Sequence, residues 1–278
     1  MEVSMPLHLD GPLLLAGAGN MGYAMLAGWL KAGLDPARIV VQEPAPQPNI
    51  RQALESRGIP IHGQVAALPE LPMALVIAVK PQVVDQVLPQ LARHVGTKTV
   101  LISIAAGRRI EGLAAHLPQG TAIVRAMPNT PASVGRGITV AVGNVHVTAA
   151  QRDACDRLLR AVGEVAWIDD EALMDAVTAV SGSGPAYVFH LAECLAQAGV
   201  AAGLSPELAQ QLARWTVAGA GELLHRSDLD AATLRRNVTS PGGTTAAALE
   251  VLMAPDGLPE LMRKAVAAAA QRSRELAK

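Results

Sequence analysis

Apolar and polar positions change their rhythm partway along this chain. In the first half, short apolar runs alternate with stretches of helical spacing. Leu13 to Ala16 is apolar without a break and reads as a buried strand, followed by a helical pattern through Leu30 to Gly33. Arg38 to Gln42 is the next strand. Met73 to Val79 is an apolar run of parallel-strand type, with a helical stretch from Gln82 to His94 behind it. Val100 to Ile104 and Ala122 to Arg125 repeat the strand signal. Gly137 to Val142 and Val165 to Ile168 extend the sheet, with a helix from Thr148 to Val162 between them. The βαβαβ order predicts a parallel sheet with right-handed crossovers.

From Glu171 onward the strand signal is gone. Asp169-Asp170-Glu171 reads as a helix start with acids at its positive end, and Glu171 to Val180 keeps helical spacing. Ser181-Gly182-Ser183-Gly184-Pro185-Ala186 interrupts it, with Pro185 as the first residue of the next helix. That helix, Ala186 to Ala202, carries Val188, Leu191 and Leu195 on one side. Glu193 lies there among small residues, either as a solvated face residue or as a buried, paired acid. Ser205-Pro206-Glu207 opens a helix through about His225, in which Ala218-Gly219-Ala220-Gly221 invites close helix approach. Leu229 to Arg236 is a short helix and Leu258 to Leu276 closes the chain. Helices with no sheet to cover need another apolar face, which predicts an interleaved homodimer; a plain bias toward alanine is the other explanation of so many small residues.

The chemistry begins where the first strand ends. Gly17-Ala18-Gly19-Asn20-Met21-Gly22 follows Ala16 directly and opens a helix. Strand, G-x-G-x-x-G, helix is the context of a dinucleotide site. Gly17 makes the tight turn, Gly19 lets a pyrophosphate approach the backbone, and Gly22 lets helix and strand pack closely. Glu43 stands about 21 positions after Gly22, where an acid binds the adenosine ribose hydroxyls and disfavours a 2′-phosphate. A solvated loop acid is the alternative, with Pro44, Pro46 and Pro48 able to steer it away. Ligands of parallel sheets sit outside the carboxyl ends of the strands. Lys80-Pro81, Ala105-Ala106 and Met127 to Thr130 should therefore line the groove, with the small residues against a flat nicotinamide ring. Lys80 reads either as a phosphate partner or, more commonly for a strand-end lysine, as a solvated one. The expected fold is thus α/β: a Rossmann-type domain over residues 1–168, with 1–11 as an N-terminal extension, then an all-α dimerisation domain over 169–278.

A second anion site is written into Val238-Thr239-Ser240-Pro241-Gly242-Gly243-Thr244-Thr245-Ala246. Pro241 stiffens the turn, and Gly242 and Gly243 leave the following amides uncovered at a helix start. Free N–H groups and the positive dipole end suit a carboxylate or phosphate. Ser240, Thr244 and Thr245 add neutral hydroxyls. An ordinary helix cap behind a Pro-Gly turn would look the same.

Composition narrows the partners. A net charge of −1 with no basic cluster gives no footing for nucleic acid. One Phe, two Tyr and three Trp are too few for base stacking. Cys155 and Cys194 stand far apart in no metal-ligand spacing, so no metal site is expected, and they fit a reducing cytosol. Met1 to Asp10 has no secretory character, and no run reaches the roughly 18 apolar residues of a membrane span. A cytoplasmic protein is expected.

Six blocks then occur in one order: Gly17 to Gly22, Ala78-Val79-Lys80-Pro81, Ser103 to Gly107, Met127 to Pro131, Ser181 to Tyr187 and Val238 to Thr245. Together they resemble pyrroline-5-carboxylate reductase from about residue 12 to the C-terminus. The resemblance implies reduction of the cyclic imine Δ1-pyrroline-5-carboxylate to L-proline with NADPH or NADH, by a homodimer that can assemble into a ring of dimers such as a decamer. It implies cofactor contacts at Gly17, Ala18, Gly19, Asn20, Met21, Gly22, Glu43, Val79, Lys80, Pro81, Ala105, Ala106, Asn129 and Asn237. The substrate would meet Ser240, Gly242, Gly243, Thr244 and Thr245, with the Thr245 hydroxyl at the ring nitrogen as the catalytic group. Glu43 departs from the small hydroxyl or basic residues of NADPH-preferring members and leans toward NADH. Two rivals are a β-hydroxyacid dehydrogenase and a catalytically silent nucleotide-binding protein. The first needs a lysine acid/base, and past Lys98 only Lys264 and the terminal Lys278 occur, in no such motif.

Overall fold

The computed structural model describes residues 6–65 and 67–276; residues 1–5 of the expected N-terminal extension and Lys278 lie outside the described residues. The chain divides into two compact units, Met1–Gly182 with Ala270–Lys278, and Ser183–Ala269.

In the first unit, β1 (Leu13–Ala16), β2 (Ile39–Gln42), β3 (Ile61–His62), β4 (Ala74–Ile77), β5 (Val100–Ser103), β6 (Ala122–Met127), β7 (Gly137–Gly143) and β8 (Gly163–Trp167) form one sheet in the order β3-β2-β1-β4-β5-β6-β7-β8. The order runs outward in opposite directions from β1 and β4, so the crevice between their carboxyl ends is the switch point at which such sheets take ligands. β1 is buried on both faces because its successive side chains serve two cores. Leu13 and Leu15 pack with Met25, Leu26 and Trp29 of α1 (Asn20–Lys31) and with Leu158 of α5 (Ala149–Arg160). Leu14 and Ala16 pack with Leu88 and Leu91 of α3 (Val84–Leu91) and with Leu113 of α4 (Ile110–Ala114). The Trp29 indole donates to the Leu158 carbonyl at 2.8 Å, so the polar edge of this buried ring is satisfied. Cys155 shares that core, and burial, with Asp156 adding to it, pushes its thiol up to about 12.

The Rossmann-type plan is as expected, but the sheet is not wholly parallel. β7 runs antiparallel to β6. Residues 128–136, including a 3-10 turn at Thr130–Val134, are too few for the crossover of a dozen or more residues that a parallel neighbour needs. β8 returns parallel to β7 through α5, whose start carries a Thr148–Gln151 capping box. The helical stretch expected over 82–94 is α3 with a tight 3-10 turn at each end. β3 and α4 are too short to register in the sequence pattern. α2 (Pro48–Glu55) follows the proline-rich loop after β2.

Arg125 of β6 is buried, and its Nη1 pairs with Glu171 Oε1 at 2.8 Å. The same oxygen accepts from the Ile110 N–H at 2.9 Å, so Glu171 caps α4 and anchors the segment leading to α6 (Met174–Val177). Near the C-terminus, Ser273 Oγ donates to Asp175 at 2.6 Å.

The second unit is helical: α7 (Gly184–Ala201), α8 (Pro206–Arg226), α9 (Ala231–Asn237), α10 (Thr244–Leu252) and the first part of α11 (Leu258–Leu276). Pro185 takes the second rather than the first position of α7, since Gly184 already has helical geometry. α7 and α8 approach closely at Gly199, where a Cβ would stand 3.2 Å from that of Ala209. In this unit only Ala209 and Ala213 are buried, while Phe189, Trp215 and Val251 are 63%, 68% and 73% exposed. Glu193 is exposed and pairs with His190 at 3.1 Å. Among the described residues no helix is long and apolar enough to cross a membrane.

The Glu171 anchor yields a stability prediction. Glu171→Ala leaves the Arg125 guanidinium buried without its partner and uncaps α4. It should destabilise the fold by about 2–3 kcal/mol, given the partial exposure of Glu171. Urea unfolding at matched protein concentration measures it, and a loss under about 0.5 kcal/mol would mean the pair contributes no more than a surface bridge.

Candidate functional site

The loop after β1 is shaped by three glycines for three different reasons. Gly17 has φ +97°, and a Cβ there would stand 2.6 Å from the Ala78 carbonyl carbon in the loop after β4. Its N–H donates to the Gln42 carbonyl at 2.9 Å, while Ala78 donates to Ala16 at 2.7 Å, so the loop is stitched to both neighbouring strands. A Cβ on Gly22 would meet the Gly17 carbonyl oxygen at 2.2 Å. Gly19 has nothing within 4 Å of the Cβ it lacks. The first two glycines are thus required by packing, and the third faces open space at the N-cap of α1. No side chain caps that helix and no acid occupies its first turn, so its leading N–H groups are left to an incoming anion.

Glu43 is turned onto this loop rather than into solvent. Its Oε2 accepts from the Ala18 N–H at 2.9 Å and its Oε1 from the Ala45 N–H at 3.1 Å. The prolines that follow do not steer it away. Arg51 is engaged elsewhere, bridging Glu55 at 3.7 Å on α2.

The strand ends expected to come together do so. A groove of about 390 Å³ is lined by Gly19 to Met21, Ala78 to Pro81, Ile104 to Ala106, Met127 to Thr130 and Gly182. Gly17, Ala18, Gly22 and Glu43, also expected at the cofactor, are not among its lining residues. Lys80 is exposed and forms no ion pair among the described residues. Asn129 is nearly buried, and its Oδ1 accepts from the Ile138 N–H at 3.0 Å, bracing the turn into β7. The loop beyond Ala106 is braced in turn. Asp85, in the first turn of α3, binds both the Arg108 guanidinium and His116, the latter at 2.9 Å. The His116 hydrogen bond, aided by the Arg108 charge and opposed by partial desolvation, holds the Asp85 carboxyl below its usual range. Ala78, Ile104 and Gly182 line the groove without having been among the expected cofactor contacts, although each lies in a block that carries the family resemblance. Ile104 could have been placed from its strand end. Gly182 comes from the interrupted stretch after Val180, far downstream of Met127, and the sequence carries no sign of that approach.

In the second unit, Ser240 to Gly243 forms a turn closed by Gly243 N–H donating to the Ser240 carbonyl at 3.0 Å. Pro241 at its second position and Gly242, φ +68°, at its third make this a type II turn. Gly243 is the N-cap of α10, again with no side-chain cap and no acid in the first turn. Thr239 spends its hydroxyl on the Arg235 carbonyl at 2.7 Å. The hydroxyls of Ser240, Thr244 and Thr245 make no hydrogen bond among the described residues; Ser240 and Thr244 are exposed and Thr245 is half-buried. Asn237 ends α9, exposed.

Known proteins bear on both units. A family model described as pyrroline-5-carboxylate reductase dimerisation matches residues 171–276, and one described as NADP oxidoreductase coenzyme F420-dependent matches residues 13–107. The chain is 41% identical over 261 residues to the pyrroline-5-carboxylate reductase of Pseudomonas aeruginosa, covering 94% of this chain and 95% of that one. It is also 41% identical to that of Mycobacterium leprae, covering 95% and 96%. The structure of a pyrroline-5-carboxylate reductase from Coxiella burnetii superposes with a TM-score of 0.89 at 34% identity, over 97% of this chain and all of that one. The Plasmodium falciparum pyrroline carboxylate reductase with NADP bound does so with a TM-score of 0.81 at 30% identity, over 97% and 99%.

The three glycines of the first loop make separable predictions. Gly17→Ala and Gly22→Ala each drive a methyl into backbone and should cost about 2 kcal/mol or more. Gly19→Ala meets nothing, and should cost under about 1 kcal/mol. Thermal unfolding of the three variants checks this, and equal losses at all three would contradict the packing argument.

Proposed function

Because the chain belongs to the pyrroline-5-carboxylate reductase family, and so reduces Δ1-pyrroline-5-carboxylate to L-proline in the last step of proline biosynthesis, we propose residue roles for that reaction. The observation carrying them is that α10 opens on Gly243 with no side-chain cap, beside three hydroxyls that have no partner among the described residues. The substrate carboxylate sits on the amides of Gly243 to Thr245 and on the Ser240 and Thr244 hydroxyls, with Gly242 giving the turn its left-handed residue. The Thr245 hydroxyl orients the ring nitrogen, and Asn237 keeps the cofactor role that the family resemblance implies for it.

The cofactor occupies the groove of the first unit: its pyrophosphate at Gly19, Asn20 and Met21, its far end among Val79, Lys80, Pro81, Ala105, Ala106 and Asn129. The fit rests on the open space at Gly19 and the uncapped start of α1. When bound, the dihydronicotinamide supplies the hydride that reduces the imine carbon. The protein's share is binding and alignment. A pyrroline nitrogen takes its proton from water, so no strong side-chain acid is needed, and holding the reactants in near-attack geometry carries most of the acceleration. Alcohol or carbonyl chemistry of the β-hydroxyacid dehydrogenase kind would need a lysine acid/base on the helical unit, where Lys264 is bridged to Glu260 at 3.3 Å.

The chain carries a dimerisation unit. Its helices interleave with those of a second copy; the support is the exposure of Phe189, Trp215 and Val251 in a unit with only two buried residues. A further ring of such dimers, a decamer for instance, and a cytoplasmic location follow from the family resemblance.

Thr245→Ala should keep the fold and the cofactor affinity yet lower kcat/KM for pyrroline-5-carboxylate, by the equivalent of about 1–3 kcal/mol for a bonded hydroxyl. Unchanged kcat and KM would reject the role.

Cofactor choice turns on Glu43. Its carboxylate lies on the glycine loop, where it accepts from ribose hydroxyls but repels a 2′-phosphate by on the order of 1–4 kcal/mol. The enzyme uses both cofactors with a lean toward NADH, and Glu43→Ser shifts it toward NADPH. kcat/KM for each cofactor in both proteins is the test; a strong NADPH preference unaltered by the substitution would remove Glu43 from the site.

A further inference from the structure

After α6 the backbone widens into a π-helix over Thr178–Gly182 before α7 begins. Such turns recur at functional positions. This one is held firmly at its root. Met174 is buried with Val140 and Val142, and Val177 packs against the same cluster. Thr178 Oγ1 donates to the Met174 carbonyl at 2.8 Å, and Ser181 Oγ to the Val177 carbonyl at 3.1 Å. Its last residue, Gly182, reaches the groove that Ala105, Ala106 and Met127 line.

Glycine is not required there by its backbone, since Gly182 is not among the residues with positive φ. What excludes a side chain is Met127: a Cβ on Gly182 would stand 2.5 Å from its Cε. Met127 also packs against the cluster of Val140, Val142 and Met174, and it lines the groove.

We propose that Gly182 is a positioning residue for the cofactor. It leaves the Met127 methyl room to lie back against the π-turn, which keeps the space over Ala105 and Ala106 clear for the flat nicotinamide end. This rests on the reading of the groove as the cofactor site. A methyl at 182 meets only the far end of a flexible side chain, so the fold absorbs it by swinging Met127, and the groove bears the consequence.

The test is a direct titration of NADPH onto the full chain, followed by the quenching of protein fluorescence, beside thermal unfolding and kinetics. Gly182→Ala should raise Kd about fivefold or more with little change in Tm, and raise the cofactor KM more than it lowers kcat. In a Met127→Ala background the same substitution should change Kd less than about twofold, because the clash is gone. Ala106→Leu, which narrows the groove from its floor, should weaken binding in its own right. Gly182→Ala with unaltered Kd, while Ala106→Leu weakens binding, overturns the proposal and leaves the groove reading standing. If neither weakens binding, the groove reading falls and the proposal with it. Equal weakening in both backgrounds, or failure to fold in both, would mean the backbone rather than Met127 demands glycine, and also overturns it. A Gly182→Ala chain that folds only when combined with Met127→Ala would mean that the fold rather than the groove bears the clash, and overturns it as well.

Discussion

α1 and α10 each begin on a glycine that offers no side-chain cap, and the proposed chemistry depends on the backbone N–H groups they leave open. α1 starts at Gly19 and α10 at Gly243, neither with an acid in its first turn. At α5, α8 and α9 the start is instead satisfied from within, by Thr148, Ser205 and Asp230. An uncapped start costs stability, of the order of 1 kcal/mol against a good capping residue. It is tolerable where an anion completes it, and a nicotinamide dinucleotide and an imino-acid carboxylate are two such anions.

The rest of the first unit keeps that opening in place. Gly17 and Gly22 are compressed against backbone, so the loop cannot fill the space Gly19 leaves. The sheet order brings the ends of β1 and β4 side by side, with Ala105-Ala106 and Met127 to Asn129 beyond them. Asp85 and Glu171 then brace the loops and the short helix behind the groove from outside. Rigidity around an open backbone site is what a reaction controlled by alignment requires.

Much of this was legible because it is local. A glycine pattern following an apolar run marks the first loop, and Ser-Pro-Gly-Gly marks the type II turn before α10. The ends of apolar runs named most of the groove. What could not be read is what depends on chain segments far apart. The antiparallel β7 follows from a connection too short to cross over, yet the two strands look alike in the pattern. Arg125 and Glu171 are 46 residues apart, and nothing in either segment names the other. The Glu43 carboxylate was readable as a ribose ligand or a solvated acid, and only its bond to Ala18 places it on the loop. The π-helix at Thr178–Gly182 has the same apolar spacing as an ordinary helix end, so Gly182 gave no sign that it reaches Met127.

The most direct measurement is the structure of the enzyme crystallised with NADPH or NADH and L-proline. The account predicts the pyrophosphate on the N–H groups at the start of α1 and the proline carboxylate on those of Gly243 to Thr245 with Ser240, the ring nitrogen within hydrogen-bond reach of Thr245. A carboxylate held by a charged side chain elsewhere, with the start of α10 left to water, would contradict it.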